Sequence, residues 1–230
     1  SIVEKYLKQA CINLNAKKGG TCIAMNPKTG KILAMADYPD YNLNTPFTPN
    51  DSLSKTYNSL SSDEKNDALH TMWKNKCVSD LYEPGSVFKL ITASVALEEH
   101  VTTPDVEGDF VCNGYEQVAD KKISCWSTVP HGSLSLRKAL EKSCNPALMQ
   151  LGKRIGVSTL YKYYRAYGLF DTTGSKLYGE SNSLFTKESS VADVELATMS
   201  FGQRLNITPL QMITAISAIA FNSVTVLCPD

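Results

Sequence analysis

The chain has 230 residues, 43% of them hydrophobic and 20% charged, with 23 basic side chains balancing 23 acidic ones. This is ordinary globular composition, enough for one large domain or two small ones with a core of useful size. A neutral balance argues against nucleic-acid binding, which needs a basic field, and no apolar run approaches the roughly 18 residues of a membrane span.

Residues 2–16 place Ile2, Val3, Tyr6, Leu7, Ala10, Cys11 and Leu14 at helical spacing, and Gly19-Gly20 ends that helix. Two short apolar runs follow, at 21–25 and 31–36. They are joined by Asn26-Pro27-Lys28-Thr29-Gly30, which predicts a β-hairpin with Pro and Gly in the turn. Residues 37–80 are polar and read as a long excursion with one short helix near 62–74. Glu83-Pro84-Gly85 is a turn, and a helix opens at Ser86 and runs to about His100. Residues 103–134 read as loop and short strands. Helices are predicted at about 135–142, 146–155, 157–166, 190–200 and 208–221, with Pro209 in a first turn where its missing N–H costs little. No repeat, low-complexity segment or composition break divides the chain, so residues 1–230 read as one domain. The first residue is Ser1 and no signal peptide is visible, so the N-terminus reads as a cut.

Seven cysteines are present: Cys11, Cys22, Cys77, Cys112, Cys125, Cys144 and Cys228. An odd number at irregular spacing is a poor disulfide framework, and buried reduced thiols are the expectation.

Ser86 and Lys89 stand three apart at a helix start, so their side chains share one face. A lysine amine can take the proton of a serine hydroxyl if burial lowers its pKa. The helix N-terminus adds free N–H groups that favour an alkoxide or oxyanion. The alternative is a serine N-cap beside an exposed lysine. The apolar neighbours Val87, Phe88, Leu90 and Ile91 favour a buried helix and a lysine held near the core. Further on, Lys142-Ser143-Cys144-Asn145-Pro146 places Ser143 and Asn145 on a tight turn between helices. A second hydroxyl there could relay a proton and an amide could bind substrate or Lys89. Simple helix capping is the alternative.

S-x-x-K followed by S-x-N resembles the signature of penicillin-binding proteins and serine β-lactamases. The run from Ala24 to Met35 is similar to the first hairpin of class B penicillin-binding proteins. Tyr82-Glu83-Pro84-Gly85-Ser86-Val87-Phe88-Lys89 is similar to their active-site segment. Phe201-Gly202-Gln203 and Thr208-Pro209-Leu210-Gln211-Met212 resemble the segment before their third motif. The resemblance covers nearly all of residues 1–220. It implies the α/β (α+β) transpeptidase fold, here a helical subdomain with an incomplete antiparallel sheet. It also implies D,D-transpeptidation of peptidoglycan: Ser86 as acylated nucleophile, Lys89 as base, Ser143 as relay and Asn145 as orienting residue. The partners implied are D-Ala-D-Ala stem peptides and β-lactams. The parent protein would be membrane-anchored, in a cell-wall synthesis complex on the extracytoplasmic face of the membrane.

The family's third motif, K-T-G on a strand, should follow Asn145. Lys28-Thr29-Gly30 precedes the nucleophile and lies in the hairpin turn, and nothing after Asn145 reads K-T-G. The chain therefore reads as C-terminally truncated and poorly active, with an unpaired edge on its first hairpin. Residues 221–230 also depart from the family pattern.

Asp109, Cys112, Cys125 and His131 form a tetrahedral zinc set, similar to that of clostridial or sporulation-type class B enzymes. Catalysis itself implies no cofactor. Two buried thiols or a disulfide are the alternatives for this segment. Two rival functions stay open: a β-lactamase or β-lactam sensor, for which Glu180 is an acid by position only, and a non-catalytic scaffold or metal-binding fragment.

Overall fold

The computed structural model describes residues 1–221; the expectations for 222–230, including the Cys228 thiol, lie outside the described residues. The chain opens with α1 (Ile2–Asn13), whose first turn is closed by a capping box between Ser1 and Glu4. Helix α1 stops short of the predicted residue 16, because Asn15 turns left-handed at φ 50°. Strands β1 (Gly20–Met25) and β2 (Ile32–Tyr38) then pair antiparallel. Their turn is held by the Gly30 N–H on the Asn26 carbonyl at 2.9 Å and the Lys28 N–H on Asn26 Oδ1 at 2.9 Å. Lys28-Thr29-Gly30 is thus turn structure, as expected. One face of the hairpin meets α1; the other packs Ile23, Met25, Ile32 and Met35 around buried Cys77, Val78 and Leu210.

The excursion holds α2 (Ser54–Tyr57), α3 (Ser62–Met72) and α4 (Lys76–Ser79), where one helix was predicted. The two additional helices are single turns too short to leave an apolar period. A 3-10 turn over Gly85–Phe88 leads into α5 (Lys89–Glu98). The segment after α5 carries β3 (Phe110–Cys112), β4 (Tyr115–Val118), β5 (Lys121–Ser124) and β6 (Gly132–Leu134). β3 pairs with β6 and β4 with β5, both antiparallel. Helices α6 (Leu136–Glu141), α7 (Asn145–Ile155), α8 (Val157–Ala166), α9 (Asp193–Met199) and α10 (Pro209–Phe221) complete the described chain.

α5 and α7 lie side by side in the main core, with Phe88, Ile91, Val95, Leu148 and Leu151 fully buried. Burying each of these side chains stabilises the fold by about 1.5–3 kcal/mol. Phe88 and Tyr164 meet edge-to-face at 5.4 Å, which fixes the turn that carries Ser86. α10 starts with a reciprocal pair: Gln211 N–H on Thr208 Oγ1 at 3.1 Å, and Thr208 N–H on Gln211 Oε1 at 2.9 Å. The helix is mostly apolar because it bridges the hairpin and α5. The arrangement is the expected α+β one, and each sheet among the described residues has two strands.

Candidate active site

Ser86 lies in the 3-10 turn, where the sequence predicted α-helix, and the α geometry begins at Lys89. The cause lies in another part of the chain. Gly85 is left-handed at φ 59° and its N–H donates to the Gly202 carbonyl at 2.8 Å. Gly202 is itself left-handed at φ 84°. A Cβ there would collide with the Gly85 carbonyl and lie 2.7 Å from Phe88 Cβ. Only glycine permits that approach. The segment is not buried all round: Phe88 and Ile91 are buried, but Val87 and Leu90 are exposed. Ser86 is exposed as well, whereas Lys89 is only 2% exposed.

The second segment reaches the same point from α6 and α7. Ser143 holds a left-handed backbone at φ 49° in the turn between them. Cys144 is the N-cap of α7 and makes no side-chain cap bond, so neither Ser143 nor Asn145 is spent on capping. Both turn to Lys89 instead. Lys89 Nζ donates to the Ser143 carbonyl at 2.7 Å, to Ser143 Oγ at 2.9 Å and to Asn145 Oδ1 at 2.7 Å. Ser143 Oγ in turn donates to Ser86 Oγ at 3.0 Å. The hydrogen-bonded path from Ser86 to Lys89 therefore runs through Ser143. Burial pushes the lysine amine down from the ordinary 10.5 to about 8, against an opposing pull from the Cys144 and Cys125 sulfurs.

Behind this turn lies a second cluster. The donor atoms of Cys112, Cys125, His131 and Cys144 all lie within 4.8 Å of one another. His131 Nδ1 is 3.6 Å from Cys112 Sγ and 3.7 Å from Cys125 Sγ. A tetrahedral zinc with ordinary Zn–S and Zn–N bonds would set sulfur and nitrogen about 3.5 Å apart, so the cluster has the size and the soft donors that zinc takes. Burial would raise the Cys112 thiol. The backbone N–H groups of His131 and Gly114 and the thiols of Cys144 and Cys125 outweigh it and hold Cys112 below the ordinary value. Burial pushes Cys144 up to about 12.

Asp109 is corrected here. It stands outside the cluster: Oδ1 accepts from Arg154 Nη1 at 2.7 Å and Oδ2 from Thr102 Oγ1 at 2.5 Å. Against the cost of burial, those two donors hold its carboxyl below the usual range. The fourth member is Cys144, from within the S-x-N triplet. Two signals were available for it in the sequence: a third cysteine close to Cys112 and Cys125, and its place within the S-x-N turn. The role of Gly202 left no local signal, because its partner Gly85 lies far away in the chain. The described cysteines are all free thiols, and all but Cys22 are buried. Glu180 accepts from the Thr173 N–H at 2.6 Å and from Ser175 Oγ at 3.1 Å, within its own loop.

Residues 20–227 match the model of the penicillin binding protein transpeptidase domain. The chain is 34% identical over 232 residues to stage V sporulation protein D of Bacillus subtilis, matching 100% of this chain and 33% of that protein. It is 28% identical over 216 residues to the peptidoglycan D,D-transpeptidase FtsI of Escherichia coli K12, matching 92% of this chain and 32% of that protein. A crystal structure from Atopobium parvulum superposes with a TM-score of 0.76 at 30% identity, over 94% of this chain and 46% of that one. The transpeptidase domain of Burkholderia pseudomallei penicillin-binding protein 3 shares the fold at a TM-score of 0.73 and 23% identity, over 93% of this chain and 53% of that one. The chain spans about a third of the length of the curated relatives it matches.

Proposed function

From a chain that belongs to the penicillin-binding protein transpeptidase family, we propose a serine acyl-transferase that cross-links peptidoglycan stem peptides and is acylated by β-lactams at Ser86. The observation that carries this reading is the unbroken contact from Ser86 Oγ through Ser143 Oγ to the buried Lys89 amine.

The proton path follows from counting donors. An ammonium at Lys89 uses all three hydrogens on the Ser143 carbonyl, Ser143 Oγ and Asn145 Oδ1. The neutral amine has two hydrogens, and two of its partners, the carbonyl and the amide oxygen, can only accept. Those two keep the hydrogens, and the lone pair is left facing the Ser143 hydroxyl. Ser143 then donates to Lys89 and accepts from Ser86, so the Ser86 proton leaves by two short transfers as its oxygen attacks the carbonyl of a D-Ala-D-Ala donor. The peptide C–N bond breaks, D-alanine departs with a proton returned along the same path, and an acyl ester remains on Ser86. An amine acceptor takes the acyl group in a second cycle. Asn145 holds the lysine and faces the substrate with its N–H groups.

Zinc fits the thiol–imidazole cluster, with Cys112, Cys125, His131 and Cys144 as ligands. Bound there it would act structurally, neutralising thiolates and fixing the loop against the S-x-N turn, with no part in the chemistry. We also propose, on the family reading, a site outside the cytoplasmic membrane, in a protein anchored there and working within a cell-wall synthesis complex. No helix among the described residues is long and apolar enough to cross a membrane.

The test is a labelled-penicillin gel with intact-mass mapping. One adduct on Ser86 that hydrolyses slowly supports a transpeptidase. Rapid release would favour a β-lactamase, a reading not helped by the engagement of Glu180 in its own loop. No adduct in a protein carrying all three motifs would leave only the non-catalytic reading.

A further inference from the structure

A cleft outside the proton path lies where β4, α7 and α9 meet. The two helices close on each other at Gly152, where a Cβ would collide with the hydroxyl of Ser200, the C-cap of α9. β4 rests against both helices, and the cleft between the three has a volume of about 70 Å³. One water needs about 10–15 Å³ of such space, so the cleft takes on the order of five to seven non-hydrogen atoms.

Its inner wall is apolar: Met149 and Ala197 are buried there, and Val118 and Leu196 are half-buried. Its outer lining is charged, with the carboxylates of Glu116 and Asp193 and the ammonium of Lys153. Glu116 is held in place, because its Oε2 accepts from Gln150 Nε2 at 2.7 Å. Gln150 is tied in turn to β3: its Oε1 accepts the Val111 N–H at 3.2 Å and its Nε2 donates to the Val111 carbonyl at 2.8 Å. Glu116 Oε1 has no partner among the described residues, and Lys153 and Asp193 have neither an ion pair nor a side-chain hydrogen bond there. Opposite charges that share a cleft without pairing are free to pair with a ligand that carries both signs. An amine alone would leave Lys153 unmatched, and a carboxylate alone would meet two like charges. An apolar molecule would strip water from all three without replacing it.

We infer that this cleft binds a small α-amino acid as its zwitterion, with the ammonium on Glu116 and Asp193, the carboxylate on Lys153 and a short side chain against Met149 and Ala197. A few polar groups around an apolar hollow are the usual means of fixing a small ligand's orientation. The inference stands on the lining of the cleft. The proposed reaction enters only in the choice of probe, since D-alanine is the amino acid it releases. α7 begins at Asn145, which holds Lys89, and α9 leads to Gly202, which holds Gly85. A bound amino acid therefore ties together the two helices that support the Ser86 site from either side.

The test is a saturation-transfer NMR titration of the full-length protein with four probes: D-alanine, L-alanine, ethylamine and propionate. It is run before and after Ser86 is blocked with benzylpenicillin, with the adduct checked by intact mass. One enantiomer of alanine or both should bind, equally well to blocked and unblocked protein, and ethylamine and propionate should bind about 3- to 5-fold more weakly, the scale of one exposed ion pair. Lys153→Gln should weaken alanine by about the same factor and leave ethylamine unchanged, whereas Asp193→Asn should weaken both. Absence of transfer to either alanine would overturn the inference. So would alanine binding that is no tighter than ethylamine and indifferent to Lys153→Gln, or alanine binding that is lost when Ser86 is blocked, which would place it at the serine. Absence of a Ser86 adduct would remove the reading of the active site and leave the cleft to be decided by the two variants.

Discussion

The hydroxyl of Ser143 lies 3.0 Å from that of Ser86 across 57 residues of chain, and it is held there by a left-handed backbone at φ 49°. On the proposed reading the pair makes Lys89 an indirect base. Ser86→Ala should abolish the penicillin adduct, read by intact mass. Ser143→Ala should leave an acylable serine but lower the acylation rate on the order of 10²–10⁴-fold, the range for a positioned proton-transfer group. Lys89→Arg should be inactive, since a guanidinium does not deprotonate near neutral pH.

The lysine amine sets a pH dependence. Burial lowers its pKa to about 8, and on the proposed reading the neutral form is the active one. Acylation should therefore rise with pH and level off above about 8. A stopped-flow pH profile with a fluorescent penicillin checks this. A rate that falls across the same interval would mean that the protonated amine is required.

Gly202 tests the support of the turn that carries Ser86. Alanine there meets the Gly85 carbonyl and Phe88 Cβ and must hold φ 84°. Holding a non-glycine residue in the left-handed region costs about 1–3 kcal/mol before the collision is counted. Gly202→Ala should lower the melting temperature and slow acylation together, because relief of the clash displaces Gly85 and with it Ser86.

The cluster behind the turn predicts metal content by residue. Protein purified under reducing conditions should hold about one zinc per chain. Cys112→Ser and Cys144→Ser should lose it, and Asp109→Asn should keep it, since Asp109 is bound to Arg154 and Thr102. Chelation should lower the melting temperature and the acylation rate in the unsubstituted protein. Elemental analysis reads the metal content of each protein, and thermal melts with a penicillin acylation assay read the effect of chelation. Retention of full metal by Cys144→Ser would return the fourth position to another residue.

Much is legible in the sequence because it is local. Helix α7, the hairpin β1–β2 and the α10 start each carry their own periodicity and turn residues, and these act over a few neighbouring positions. The pairing of Ser86 with Lys89 is likewise one helical turn of spacing, and the placement of Ser143 and Asn145 beside them came from the family resemblance. Local pattern fails where a contact between distant segments sets the geometry. The 3-10 form of the Ser86 turn depends on Gly202. The choice of Cys144 over Asp109 depends on which side chains face inward once β3, β6 and α7 meet. Asp109 was a sound ligand by type, but Arg154 on α7 reaches it first. Residue types and spacings in the sequence determined which chemistry was available. The tertiary fold decided which donors converge, because convergence depends on backbone direction at points far apart in the chain.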